Sequence, residues 1–227
     1  MSGPRLLDLR SIPIDDLDVA PILEHLRGGG LLAYPTETVY GFGGIPSDDV
    51  VARLAALKGR ESGKPMLILI PRKETMDHLI WTDQAAQLAD VFWPGSVTLI
   101  LSDPEAHLPP GVRGASGAVA VRMSPHPLVK ALVEGLDGPL VSTSANEPGE
   151  PPALDAHRAM ESARALGMGD ELWVLDGGAL PPSLPSTIVD CSGAVPVVVR
   201  QGTIPLGRVR CVLPEIEASP VIEARSS

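Results

Sequence analysis

The strongest constraint on this chain is a series of apolar runs too short to be ordinary helices. LLAYP at 31–35, MLILI at 66–70, VTLIL at 97–101, AVAVR at 118–122 and PLVS at 139–142 are each only four or five residues long. Runs of that length suit strands covered on both faces, and they carry the aliphatic and β-branched residues that a pleated surface accommodates. Similar runs at 172–175, 187–190 and 196–200 extend the series. Alternation of these runs with helical patterns predicts an α/β domain around one sheet.

The intervening segments carry helix signals. Leu17, Ala20, Leu23 and Leu26 predict a helix from Ile14 to Arg27, stopped by Gly28, Gly29 and Gly30. Ser47 reads as an N-cap, followed by Asp48 and Asp49 at the positive end of the dipole; that helix delivers Lys58 and Arg60 at its C-terminus. Two short helices are expected over 73–92, one from His126 to Glu134 and one over 155–166. The core must be aliphatic, because 44% of residues are hydrophobic but only three Trp, two Tyr and two Phe are present. One domain is expected over 1–213. From 214 to 227 the sequence PEIEASPVIEARSS loses periodicity and reads as a loosely held tail.

Charge and cysteine content narrow the function classes. Eighteen Lys and Arg against 28 Asp and Glu give a net charge of −10, which repels phosphate backbones at long range and argues against nonspecific nucleic-acid binding. Cys191 and Cys211 have neither metal-ligand spacing nor the density of a disulfide scaffold. The N-terminus MSGPRLLDLRSIP lacks the apolar stretch of a signal peptide, and no run reaches 18 apolar residues, so a cytoplasmic, untethered protein is expected.

Several segments carry possible chemistry. Gly59 to Pro65 superficially resembles a phosphate-binding GxxxxGK[ST] loop but fails as one: it is a residue short, Pro65 replaces the hydroxyl, and a helix precedes it. Lys58, Arg60 and Lys64 remain as a cationic cluster that either binds an anion or complements the helix dipole. Ser142, Thr143, Ser144 and Asn146, at the end of a strand, either line a crevice or satisfy their own turn. In YPTETVYGFGG, Thr36, Glu37 and Thr38 precede a glycine-rich turn that is an incomplete dinucleotide fingerprint, with Pro46 where the third glycine belongs. Arg122 ends one strand and suits a carboxylate. His126 reads better as a helix-start residue than as a general base. Ser186 and Thr187, in PSTIVD at 185–190, precede one strand, and Arg200, in VVVRQGTI, follows another.

Taken in order, PTETVYGFGG, LKGRESGKP, WPGSVTLIL, AVRMSPHPL, STSAN, STIVD and VVVRQGTI resemble the YrdC-like family of threonylcarbamoyl-AMP synthases, from about Leu6 to Ile204. The resemblance is to the short form, without an extra C-terminal domain. It implies a twisted open mixed sheet, flanked by helices, around a concave substrate pocket. It also implies a reaction: L-threonine and bicarbonate or CO₂ give a carbamate that attacks the α-phosphorus of ATP, releasing pyrophosphate. The product would pass to a tRNA-modifying threonylcarbamoyltransferase complex acting at adenosine 37, with little or no direct tRNA binding and no membrane.

The resemblance assigns Lys58 and Arg60 (its KxR pair) and Ser144 and Asn146 (its SxN pair) to catalysis and to ATP, and Lys64, Ser186 and Arg200 to ATP. It assigns Thr36, Arg122 and Ser142 to threonine. Mg²⁺ is expected with the ATP phosphates, with no protein metal cage and no prosthetic group. Three positions depart from the family pattern: Leu69 stands where long-form members carry histidine, Phe42 where leucine is usual, and Ser96 where WPGP has proline. An RNA-binding module of the same fold and a carbamoyl-adenylate-handling relative are the alternative readings.

Overall fold

A computed structural model describes residues 3–59 and 65–220 of the chain. The apolar runs become strands of one mixed sheet. In chain order the elements are β1 (Arg5–Asp8), α1 (Ala20–Arg27), β2 (Leu31–Pro35), β3 (Tyr40–Gly44), α2 (Asp48–Leu57), β4 (Leu67–Leu69), α3 (Asp83–Phe92), β5 (Val97–Ser102) and β6 (Ala118–Arg122). Then follow α4 (Pro127–Leu136), β7 (Leu140–Ser144), α5 (Ala156–Ala165), β8 (Leu172–Asp176), β9 (Thr187–Asp190), β10 (Val197–Arg200), α6 (Leu206–Arg210) and β11 (Glu217–Ala218). Their spatial order is β1-β8-β2-β3-β7-β4-β6-β5-β9-β10-β11. Parallel and antiparallel pairs are mixed: β4 runs parallel to β6, for example, and antiparallel to β7.

The period of two along each strand sorts the side chains between two cores. Ala33, Phe42, Ile68, Leu99, Val121, Val141 and Val189 face one cluster, closed by Val50, Val51 and Leu54 of α2, Leu88 of α3 and Ala159 and Met160 of α5. Leu32, Tyr34, Leu69, Leu140 and Leu175 face the other, closed by Ile22, Leu23 and Leu26 of α1 and Leu128, Leu132 and Val133 of α4. Each fully buried Leu or Ile contributes about 1.5–3 kcal/mol of apolar transfer. Two helices cannot cover the whole second face, and the uncovered strands form the floor of a cavity.

Local chemistry sets the helix ends. The Ser47 hydroxyl accepts the Val50 N–H at 3.3 Å, capping α2, and the Thr82 hydroxyl caps α3 in the same way at 3.1 Å. The helix expected from Ile14 to Arg27 is instead a 3-10 turn, Ile14–Asp16, followed by α1 from Ala20. The cause is Pro21. In a continuous helix its ring would meet the carbonyl of Leu17, whereas in the first turn of α1 its missing N–H costs nothing.

Three other expectations change. The glycine-rich segment after Thr38 is not a turn but the buried strand β3, and β7 runs on through Ser144. In place of a loose tail from 214, Ile216 and Ala218 are buried and β11 pairs in parallel with β10. Residues 221–227 lie outside the described residues. No helix among the described residues is long and apolar enough to cross a membrane.

Candidate functional site

The uncovered strands bring Gly41, Leu67, Thr98, Ala120, Ser142 and Ile188 onto the floor of one cavity of about 290 Å³. The backbone of β3 must approach its neighbours closely there. A Cβ on Gly43 would stand 2.2 Å from the Val141 carbonyl oxygen and 2.7 Å from the Tyr34 hydroxyl, and one on Gly41 would stand 2.9 Å from Ser142 Oγ. Burial pushes the Tyr34 phenol well above its ordinary pKa, so this hydroxyl stays neutral.

Arg122, the last residue of β6, is only 4% exposed. Its Nη1 lies 3.3 Å from Glu37 Oε1, and its Nε has no hydrogen-bond partner. Glu37 is itself held by the Ser124 hydroxyl on Oε2 (2.6 Å) and the Ser96 hydroxyl on Oε1 (3.3 Å). Burial lowers the pKa of Arg122, while Glu37 and then Tyr34 favour its charged form. The family resemblance assigns Glu37 no ligand. The available signal was a carboxylate between two small hydroxyls beside a buried strand, with a strand-end Arg elsewhere needing a counter-ion. Ser96, a departure from the family pattern, does what proline could not by donating to Glu37.

Arg200 reaches the cavity because of an irregularity in β10. Val198 faces the first core, and simple alternation would turn Arg200 to the same side. The register instead shifts between Val198 and Arg200, setting Arg200 opposite Ile188, a cavity residue. Its Nε and Nη2 donate to the Ser186 carbonyl at 3.1 and 2.9 Å, and Nη2 also lies 3.2 Å from Ser186 Oγ. Ser186 Oγ shares a 2.9 Å hydrogen bond with Thr98 Oγ1. Burial, and then the charge of Arg122, lower the pKa of Arg200. Two guanidiniums thus face one cavity, and no Asp or Glu stands among the described residues lining it.

The KxR and SxN motifs meet, but in an unexpected way. The Lys58 ammonium donates to the Ser144 carbonyl (3.1 Å), the Asn146 carbonyl (2.5 Å) and Asn146 Oδ1 (2.7 Å). Asn146 Oδ1 also accepts the Ser144 hydroxyl at 2.5 Å, while its Nδ2 donates to the Glu147 and Glu150 carbonyls at 2.9 and 2.5 Å. Lys58 therefore braces the loop after β7. Arg60 and Lys64 lie outside the described residues; Pro65, just after them, lines the cavity.

Thr36, Ser142, Ser144, Ser186, Arg122 and Arg200 all line that cavity, and Lys58 and Asn146 join it through Ser144, a lining residue that both contact. The Thr36 hydroxyl donates to the Val39 carbonyl at 2.8 Å and accepts the N–H groups of Thr38 and Val39, each at 3.2 Å. It builds the turn before β3. His126 caps α4, its Nδ1 accepting the Leu128 N–H at 3.3 Å. Leu69 is wholly buried in the second core. Among the described residues the cavity lining offers no carboxylate, so a magnesium ion would fit these residues as an escort of phosphate oxygens.

Comparison with known proteins adds to this geometry. The family model Sua5/YciO/YrdC, described as telomere recombination, matches residues 24–202. A threonylcarbamoyl-AMP synthase of Pyrococcus abyssi is 35% identical over 204 residues, covering 88% of this chain and 58% of the relative. Its namesake in Chromohalobacter salexigens is 42% identical over 176 residues, covering 76% of this chain and 91% of the relative. The crystal structure of P. abyssi Sua5 complexed with L-threonine superposes with a TM-score of 0.84 at 32% identity, covering 95% of this chain and 62% of that one. This chain therefore spans less than two thirds of the archaeal relative's length.

Proposed function

The chain belongs to the Sua5/YciO/YrdC family, and on that premise we propose that it is an L-threonylcarbamoyladenylate synthase, a cytoplasmic nucleotidyltransferase. The observation that carries this reading is the pair of guanidiniums, Arg122 and Arg200, facing one cavity with no carboxylate among its described lining residues. Such a site favours an anion, and the substrates would be a carboxylate-bearing amino acid, bicarbonate and ATP.

The buried Arg122, with an unpartnered Nε, suits the carboxylate of threonine, beside Ser142 and Thr36. A relative of the same fold is known in complex with L-threonine, which supports this choice. The threonine nitrogen would bond to the carbon of bicarbonate, with loss of water, to give a carbamate. A carbamate oxygen would then form a bond to the ATP α-phosphorus as the bond to the β-phosphate oxygen breaks. That electron pair leaves with pyrophosphate.

Catalysis in such a site is positioning and electrostatics, since both reactants are anions that must approach each other. Arg200, held on Ser186, would offset the charge of the nucleotide side. By the family resemblance, Arg60 and Lys64 would hold the triphosphate, while Lys58 keeps the Ser144–Asn146 loop in place for it. Mg²⁺ bound with ATP would neutralise phosphate charge. The adenylate would serve a separate tRNA-modifying threonylcarbamoyltransferase complex, without this chain gripping tRNA.

Pyrophosphate release by the purified protein with ATP and Mg²⁺ tests the proposal. Release is expected to need both L-threonine and bicarbonate, with an adduct of the mass of threonylcarbamoyl-AMP. Release that proceeds without threonine, or no release at all, would overturn it.

A further inference from the structure

Outside the cavity, the structure brings together three metal-ligating side chains that the proposed reaction does not use. His78, in the turn before α3, meets Asp103 and His107, in the loop after β5, and one ligand atom from each lies within 4.8 Å of the others. We propose that these three residues form a binding site for a divalent transition metal of the zinc class, clipping the loop after β5 to the turn before α3.

The donor set decides the class. Two imidazoles and one carboxylate suit zinc and its neighbours rather than magnesium or calcium, which take oxygen ligands. His107 Nδ1 lies 3.5 Å from Asp103 Oδ1, close to the roughly 3.3–3.4 Å edge of a tetrahedron with zinc–ligand bonds near 2.05 Å. His78 contributes the other observation: its Nε2 is buried and has no hydrogen-bond partner. A buried imidazole nitrogen without a partner is costly in an empty site and is satisfied by a metal.

The surroundings are those of a prepared site. Behind His78, Nδ1 faces Asp77 at 4.0 Å; beside His107, Nε2 faces Glu105 at 3.5 Å. Drawn in to hydrogen-bond distance, such a carboxylate would fix the ring orientation and raise the basicity of a metal-bound imidazole. Asp103 is 1% exposed, and both its oxygens are oriented by backbone N–H groups, Oδ1 by His107 and Oδ2 by Leu108, each at 3.1 Å. Arg113 Nε lies 3.6 Å from Oδ2, which leaves Oδ1 toward the imidazoles.

Three protein ligands leave a further coordination position for water, and His107, with its side chain 43% exposed, gives the ion a way in. The same loop accepts the Met66 N–H at the Gly111 carbonyl (3.1 Å), so a metal here would steady the chain where it enters β4.

Titration of the full chain with zinc chloride alone, without ATP, followed by calorimetry and metal analysis, tests the site. One equivalent is expected to bind and to raise the melting temperature. Loss of a direct ligand in His107→Gln should weaken binding by more than the roughly 10–100-fold attached to an outer partner, and Glu105→Gln should fall within that range. His78→Gln provides a second ligand variant, and His157→Gln, on exposed α5, should bind as the wild type does. No binding by the wild type, or binding unchanged in both ligand variants, would overturn the proposal.

Discussion

Arg122 reaches Glu37 at 3.3 Å beside the cavity, tying the end of β6 to the loop between β2 and β3. The pair leaves the Arg122 Nε unpartnered while its charge is offset, which equips it for a carboxylate ligand. Removing the Glu37 charge would strand a buried guanidinium. Glu37→Gln is therefore expected to lower the unfolding free energy by about 3 kcal/mol, the lower end for breaking a buried ion pair, as read by urea denaturation. An unchanged midpoint would show that the pair adds nothing to the fold.

His126 links pH to stability. Burial holds its pKa below the ordinary 6.5, with Glu37 opposing. Between that lowered value and 6.5 the unfolded chain binds the proton and the folded chain does not, so stability rises with pH in that window and falls on acidification through it. His126→Asn keeps a capping side chain for α4. The variant is expected to show a flatter dependence of urea midpoint on pH below 6.5; an identical slope would assign the effect to other groups.

Two glycines should respond in opposite directions. Gly43→Ala forces a Cβ against the Val141 carbonyl and the Tyr34 hydroxyl, and is expected to destabilise by at least about 1–3 kcal/mol. Gly207→Ala, in α6 with no atom within 4 Å of the new Cβ, is expected to stabilise by about 0.5–1 kcal/mol. Thermal unfolding of the two variants checks both signs.

Asn146 holds the loop after β7. Asn146→Ala leaves Lys58 and the Ser144 hydroxyl without a shared acceptor, and should cost about 1–3 kcal/mol and most of the pyrophosphate release. Ser144→Ala removes one donor to an amide that Lys58 still satisfies, and should cost about 0.5–1.5 kcal/mol. Equal losses in stability would contradict this division of roles.

The strand series and most helices were legible in the sequence because each depends on local patterning: apolar runs of four or five residues, the Ser47 cap, the periodicity of 155–166. Local reading failed where a neighbour decided the outcome. YGFGG reads as a turn by composition, yet it is a strand, since only glycine lets β3 lie against Tyr34 and the β7 backbone. Glu217–Ala218 carry no periodic signal and become a strand only because β10 offers an edge.

By itself, the sequence determined the fold class, the family, and which hydroxyls and cations lie in matching motifs, because these are properties of residue order. Tertiary structure alone decided how the charges are used. Strand order set Arg122 beside Glu37, and the shifted register between Val198 and Arg200 turned the second guanidinium to the cavity. The reach of a Lys side chain across 88 residues of sequence made Lys58 a brace for Asn146. Each is a through-space Coulomb or hydrogen-bond relation between residues far apart in the chain, which no local pattern encodes.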